Sequence, residues 1–257
     1  MTEEQRPVPA PDPGYAGADF DRYFDEAARS PLLGEMFREH FDSTDPGEVQ
    51  GFNYVPMTGL ERIAELLSGS GDGLLLDAAC GRGGPGIWLA RRIGRPLHGV
   101  DISRVAIEQA RGLAVRQGAR ATFSEGTLND TRLDDAGYPA LVCLDALHFA
   151  ADPAAAAREL RRVAQPGGLL VVTTWQTENG PPRLRRDIHA TLQEAGWSIL
   201  SVEDHPDWLA AQLRLYEAAL AAASWKDPAV QRLRDEGEAV ASAIRGGRRL
   251  LIQARRS

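Results

Sequence analysis

Apolar residues along the chain follow first a helical and then an alternating pattern. Between Tyr15 and about Phe41, the residues Phe20, Tyr23, Phe24, Leu33, Met36 and Phe37 recur at roughly helical spacing. Pro31 divides this run into two short helices, because proline suits a first turn and breaks an interior. Met1 to Gly14 reads as a disordered or extended leader, and "FDSTDPGEVQGFNYVP" as a loop. "MTGLERIAELLSGSG" reads as a helix with Leu60, Ile63, Ala64, Leu66 and Leu67 on one face, stopped by Gly69 and Gly71.

From Leu74 onward strands and helices alternate. The strands are Leu74–Leu76, "PLHGVDI", "ATFSEG", "ALVCLDAL", "LLVVTTW", "WSILSVEDH" and "RRLLIQARR". Helices fall at about Pro85–Ile93, at "RVAIEQARGLAVRQG", at "PAAAARELRRVAQ" closed by Pro166-Gly167-Gly168, and at "RDIHATLQEAG". In the second of these, Val105, Ile107, Ala110 and Leu113 mark the inner face. Two more helices, about Asp207–Ser224 and Pro228–Ile244, precede the last strand. This order predicts an α/β fold, a doubly wound, mostly parallel, seven-stranded sheet. Ligands of such sheets bind at the carboxyl ends of the strands. The site is therefore expected to include Asp77 to Gly86, Asp101, Gly126 to Leu128 and Asp145 to Phe149.

Charge narrows the partners. The formal net charge is -7, and no clustered basic surface suggests nucleic acid. Arg248, Arg249, Arg255 and Arg256 read as solvated ends of the last strand. Cys80 and Cys143 have no partners at metal-ligand spacing, so no metal is expected. The start lacks the basic region and apolar core of a signal peptide, and no apolar run suits a bilayer, which points to a cytoplasmic protein.

The stretch "LLLDAACGRGGPGIWLA" raises a choice of ligand. Gly81, Gly83 and Gly86 fit the G-x-G-x-x-G turn of dinucleotide sites. A P-loop would need a lysine, and the one lysine of the chain is Lys226. A nicotinamide dinucleotide remains a rival, since Asp101 ends a strand about twenty residues later, where it could accept from ribose hydroxyls. Against it stand Asp77, a carboxylate where a pyrophosphate would lie, and the about seventy residues ahead of the first strand. A ligand with a cationic group, such as the sulfonium and ammonium of S-adenosylmethionine, suits Asp77 better.

The same stretch resembles the first motif of class I S-adenosylmethionine-dependent methyltransferases in its D-x-x-C-G-x-G form. "GVDIS" with "AIEQAR" resembles their second-strand motif, and "CLDALHFAADPAAAARELRRVAQPGGLLVVTTW" their fourth and fifth strands. The resemblance runs from about Leu60 to Arg256 and is strongest toward small-molecule methyltransferases of actinobacterial secondary metabolism. One departure stands at the adenine turn, where the family's G-D-A reads Gly126-Thr127-Leu128; Asn129 or Asp130 could substitute.

The resemblance implies a leader (1–14), a helical cap (15–59) and a cofactor-binding core (60–257) with a lid at about 207–244. It implies cofactor contacts from Tyr54, Asp77, Ala79, Gly81, Gly83, Gly84, Asp101, Ile102, Gly126, Thr127, Leu128 and Asp145. Tyr23, His148, Trp175, Trp208 and Tyr216 are expected in the substrate pocket, under an apolar cap to which Tyr15 also belongs. His148 is the candidate general base, with a plain wall residue as its alternative. The expected activity is methyl transfer from S-adenosylmethionine to a heteroatom of a small natural-product intermediate, oxygen before nitrogen or carbon, with release of S-adenosylhomocysteine. The chain is expected to act as a monomer or homodimer. Two alternatives stay open: a cyclisation or other non-methylating step on the same fold, and a nicotinamide-dependent oxidoreductase.

Overall fold

The structure, a computed structural model, describes residues 17–40, 53–222 and 226–257. The expected leader, Tyr15 and most of the loop after Phe41 lie outside the described residues. Seven strands form one sheet: β1 (Leu75–Ala78), β2 (Leu97–Asp101), β3 (Ala121–Glu125), β4 (Tyr138–Leu144), β5 (Ala164–Gln176), β6 (Trp197–Asp204) and β7 (Arg248–Arg256). Their order is β3-β2-β1-β4-β5-β7-β6. The pairs from β3 to β5 are parallel, and β7 runs antiparallel to both neighbours. Strand order reverses between β1 and β4, so a crevice opens there at the carboxyl ends.

Burial explains the strand patterns. β1 and β4 are buried at every position, as strands covered on both faces must be. The edge strand β6 instead alternates, with Ser198, Leu200, Val202 and Asp204 outward. Helices α3 (Met57–Leu67), α4 (Gly84–Arg92) and α5 (Arg104–Gln117) cover one face. Helices α6 (Pro153–Val163) and α7 (Ile188–Glu194) cover the other. Val105 is only partly buried; the inner face of α5 is Ala106, Ile107, Ala110, Leu113 and Ala114. Side-chain N-caps start α5, α6 and α7, from Ser103, Asp152 and Asp187. Pro166-Gly167-Gly168 does not close a helix: α6 ends at Val163, and β5 begins at Ala164 and runs through these residues, with a register shift against β4 between Tyr138 and Ala140.

The remaining helices form a layer of their own over the carboxyl edge. α1 (Gly17–Ala28), α2 (Pro31–His40), α8 (Pro206–Ala221) and α9 (Pro228–Arg245) share a third apolar cluster with Tyr54 and Trp175. Polar contacts fasten them. Asp21 of α1 accepts from the Ser103 hydroxyl at 2.6 Å and the Val105 N–H at 3.2 Å, at the start of α5. Arg232 of α9 pairs with Glu26 of α1 at 2.7 Å, and the Ser30 hydroxyl donates to Asp227 at 2.7 Å.

Two expectations are overturned in this layer. Arg249 is not a solvated strand end but is fully buried. Its Nη2 donates to Asp145 Oδ1 at 2.5 Å and to the Tyr54 carbonyl at 3.0 Å, and its guanidinium stacks over Trp175 at 4.2 Å. The antiparallel register puts it beside Trp175 on the inner face of the sheet, where a charge needs a partner. Trp208 is not a pocket residue. It stacks on His205 with ring centres 3.9 Å apart and fills the slot left by Gly59, whose added Cβ would sit 2.6 Å from it. Aromatic area goes there because α8 must seal against α3.

Arg249→Met leaves the Asp145 charge buried and alone, so it should cost about 3–5 kcal/mol in urea unfolding. The double variant Asp145→Asn/Arg249→Met should recover part of that loss. A single-variant loss below about 1 kcal/mol would show that the pair does not hold the layer in place.

Candidate cofactor and substrate site

The turn after β1 is built for close approach. Ala79 and Cys80 both donate their N–H to the Val100 carbonyl, at 2.8 and 3.0 Å, which pulls the chain across the end of β2. Gly83 then caps α4 at φ +79°, a conformation that favours glycine. Gly86 lies against Asp77; an added Cβ there would meet the carboxylate at 2.3 Å. The glycines thus seat the start of α4 directly on an acid.

Two carboxylates follow from this geometry. Asp77 and Asp101 are both buried and both line a cavity of about 1010 Å³ at the carboxyl edge. Asp101 Oδ2 accepts the Gly81 N–H at 2.7 Å and Oδ1 the Ser103 N–H at 2.9 Å. Each oxygen keeps lone-pair capacity for a further donor. Burial, with the nearby Asp101 charge, pushes the Asp77 carboxyl up to about 7. Burial also pushes Asp101 up to about 6, against the pull of the backbone N–H groups of Ser103, Gly81 and Ile102. Such a pair is a poor seat for a pyrophosphate and a good one for an ammonium and a pair of hydroxyls.

The structure brings most of the expected residues to this cavity. Its lining includes Tyr54, Asp77, Ala79, Gly81, Asp101 and Ile102. Gly126, Thr127, Leu128 and Asp145 continue it, as do Tyr23, His148, Trp175 and Tyr216. Gly83, Gly84 and Trp208 are not among the lining residues. At the turn after β3, Gly126 N–H donates to the Asp101 carbonyl at 3.0 Å. The Thr127 hydroxyl accepts from the Asp130 N–H at 2.9 Å, closing its own turn. Asn129 lines the cavity but gives its amide to the Asp152 carbonyl at 2.7 Å.

Asp145 sits in the left-handed region at φ +55°, and both of its carboxylate oxygens are hydrogen-bonded. Oδ1 accepts from Thr173 Oγ1 at 2.6 Å and from Arg249, and Oδ2 from the Tyr54 N–H at 2.8 Å. It therefore holds Tyr54 at the cavity. His148 is buried, with its ring 4.3 Å from Phe149 and 5.1 Å from Trp175. Burial and the charges of Arg183, Arg249 and Arg186 hold its imidazole well below the ordinary histidine value. It is neutral, and a weak acceptor of protons.

The sequence pattern missed a second group on the cap side. Trp175 Nε1–H donates to Gln212 Oε1 at 2.8 Å, and Gln212 Nε2 to the Tyr216 hydroxyl at 2.9 Å. The hydroxyls of Tyr216 and Tyr54 each donate to Glu236, at 3.0 Å. The one signal for Glu236 was Gly237 inside α9, which lets that helix lie on Tyr216; an added Cβ would sit 3.1 Å from it. Among the described residues no cluster of His, Cys, Asp and Glu could hold a metal ion, and no helix is long and apolar enough to cross a membrane.

Comparisons with known proteins agree with this geometry. Residues 75–168 match the family described as methyltransferase domain. The chain is similar to the ubiquinone biosynthesis O-methyltransferase of Alkalilimnicola ehrlichii, 30% identical over 132 residues, which cover 51% of this chain and 53% of that one. It is also similar to the 27-O-demethylrifamycin SV methyltransferase of Amycolatopsis mediterranei, 27% identical over 169 residues, 65% of this chain and 61% of that one. The chain spans about half the length of the first of the curated relatives it matches. Among solved structures, the [4+2]-cyclase SpnF superposes with a TM-score of 0.73 at 21% identity, over 95% of this chain and 97% of that one, which shows a shared fold. Residues 75–168 thus form a methyltransferase domain, and the strand order around it, which places the glycine turn and both carboxylates at one edge, is similar to that of class I S-adenosylmethionine-dependent methyltransferases.

Proposed function

We propose that the chain transfers a methyl group from S-adenosylmethionine to a heteroatom of a small natural-product intermediate, oxygen before nitrogen or carbon. One observation carries the reading. The glycine turn, Asp77 and Asp101 share a single cavity with a wall of tyrosine and tryptophan side chains, so a cofactor and an apolar substrate fit side by side in one cleft. Asp77 would take the ammonium side of the cofactor, Asp101 the ribose hydroxyls, and Ile102 and Leu128 would flank the adenine. Thr127 offers a neutral hydroxyl there in place of an acid. Bound in this way, the cofactor supplies an electrophilic methyl group on positively charged sulfur.

The protein's own part is alignment and exclusion of water. The layer of α1, α2, α8 and α9, which we read as the cap and lid over a core beginning near residue 60, forms one side of the cavity through α1, α8 and α9. Buried rings of Trp175 and Tyr216 give the substrate an apolar bed, and Tyr23 extends it. Held neutral among three guanidinium groups, His148 is best read as part of this wall. Of the relatives named above, one is an O-methyltransferase of ubiquinone biosynthesis and the other a methyltransferase of 27-O-demethylrifamycin SV, and this supports a hydroxylated small molecule as the substrate class. The acidic net charge supports a chain that binds no nucleic acid, and we read it as a cytoplasmic monomer or homodimer.

The decisive experiment is calorimetry with S-adenosylhomocysteine and with NADH, followed by a search for S-adenosylhomocysteine release on hydroxylated candidates. Binding of NADH alone would refute the reading, and substrate turnover without S-adenosylhomocysteine release would favour the cyclase alternative. Asp101→Ala should weaken S-adenosylhomocysteine by roughly 1.5–3 kcal/mol, the scale of hydrogen bonds to a charged group; unchanged affinity with the fold intact would remove the ribose assignment. His148→Ala should lower kcat by less than about tenfold, whereas a loss of about 10²–10⁴ would restore it as the base.

The raised carboxyls give a pH signature. Both acids must be charged to serve the cofactor, so affinity should fall as pH drops through about 7 and then about 6. Asp77→Asn should flatten the upper part of that fall. For the protein without cofactor the sign is opposite. A carboxyl raised by burial favours the folded state at low pH, and that contribution is lost as pH rises through about 7. Asp77→Asn should therefore raise Tm at a pH near 8 and change it little at a pH below the ordinary carboxylate range. A Tm gain that is equal at both would contradict this account.

A further inference from the structure

We propose that Glu236, held in the cap-side wall by Tyr54 and Tyr216, receives a neutral hydroxyl of the substrate and thereby sets its class. This deepens the methyl-transfer reading and rests on it. The argument begins at Trp175, whose indole nitrogen can only donate. That fixes the Gln212 amide: Oε1 faces Trp175, and Nε2 faces the Tyr216 oxygen. The Tyr216 proton must then point onward, to Glu236 Oε1. Tyr54 supplies the second proton, to Oε2. Every donor in the chain runs toward one carboxylate. A carboxylate has about four acceptor positions, and the two phenols use two of them. What is left in this part of the cavity is acceptor capacity, which calls for a donor on the ligand.

The surroundings choose among donors. Both Glu236 oxygens are held by hydroxyls rather than by a guanidinium, and Arg232, close by, is engaged by Glu26. Arg82, Arg183 and Arg232 line the same cavity, so an ammonium would enter a field of positive charge. A carboxylate or phosphate would instead meet Glu236, with Asp19 and Asp235 also in the lining. An uncharged hydroxyl meets neither penalty. Phe20, Phe24, Phe149 and Trp175 leave room for an apolar body behind it. Burial pushes the Glu236 carboxyl above its ordinary value, while the two phenol hydrogen bonds pull it back. Burial and the Glu236 charge push the Tyr23 and Tyr54 phenols up, so both keep their protons.

Three probes with one apolar body test this: 3-phenyl-1-propanol, 3-phenylpropylamine and 3-phenylpropanoate. Each is titrated by ligand-observed NMR into protein saturated with S-adenosylhomocysteine. The alcohol should bind the wild type best. Glu236→Ala should weaken it by about tenfold, the scale of one hydrogen bond to a charged group, and should let the acid bind better. Glu236→Gln, which keeps the shape and one carbonyl, should give a smaller loss and serves if the alanine variant fails to fold. S-adenosylhomocysteine affinity should be the same in wild type and variants. Equal alcohol binding by wild type and variants overturns the proposal. So does preference of the wild type for the amine or the acid, or binding of none of the three at millimolar concentration. Failure of the wild type to bind S-adenosylhomocysteine would instead overturn the methyltransferase reading beneath it.

Discussion

Asp145 and Arg249 form an ion pair inside the protein, and four parts of the chain depend on it. Asp145 directly follows β4, Thr173 lies on β5, Arg249 on β7, and Tyr54 precedes α3. Neither charge could stand alone at that depth, where desolvation costs several kcal/mol per ion. The pair therefore fixes where the antiparallel β7 returns beside β5, and where the segment carrying Tyr54 crosses the sheet edge. Stacking of the same guanidinium on Trp175 orients the indole, whose N–H then starts the hydrogen-bond chain toward Glu236. A structural ion pair and a binding wall are thus one connected piece of polar machinery.

The cavity has two acidic ends with different chemistry. At the sheet edge, burial and the neighbouring charge raise Asp77 to about 7, and burial raises Asp101 to about 6 against the pull of backbone N–H groups. Empty, they oppose one another; with a cation between them, the repulsion becomes attraction. On the cap side Glu236 is held by phenols, and guanidinium groups line the space around it. One end suits a ligand with positive charge and the other a neutral donor. On the proposed reading, that difference lets a single cavity sort a charged cofactor from an uncharged substrate without a partition.

How much of this was legible in the chain depends on distance along it. The alternation of strands and helices, the glycine turn, Asp77 and Asp101 all lie within one strand–helix–strand unit. Local geometry decides what those residues do: a left-handed turn favours glycine, and the acid at the end of the second strand must face the same edge. The cap helices were also visible, because Pro31 and helical spacing are local signals.

The sequence by itself determined the fold class, the cofactor edge and the acidic character of that edge. Only the tertiary structure decided which charges go inside. Arg248 and Arg249 are neighbours with the same side chain, yet one is half in solvent, paired with Asp204, and the other is fully buried. Strand alternation separates them, but which face is closed depends on α8 and α3 packing above it. Trp208 looked like a pocket aromatic and went instead to the slot at Gly59. Glu236 looked like one more acid on a charged helix, and it reaches Tyr54 across 182 positions of sequence. Such partners are matched by burial, since a desolvated polar group must find hydrogen bonds wherever the fold supplies them. No pattern along the chain records that search.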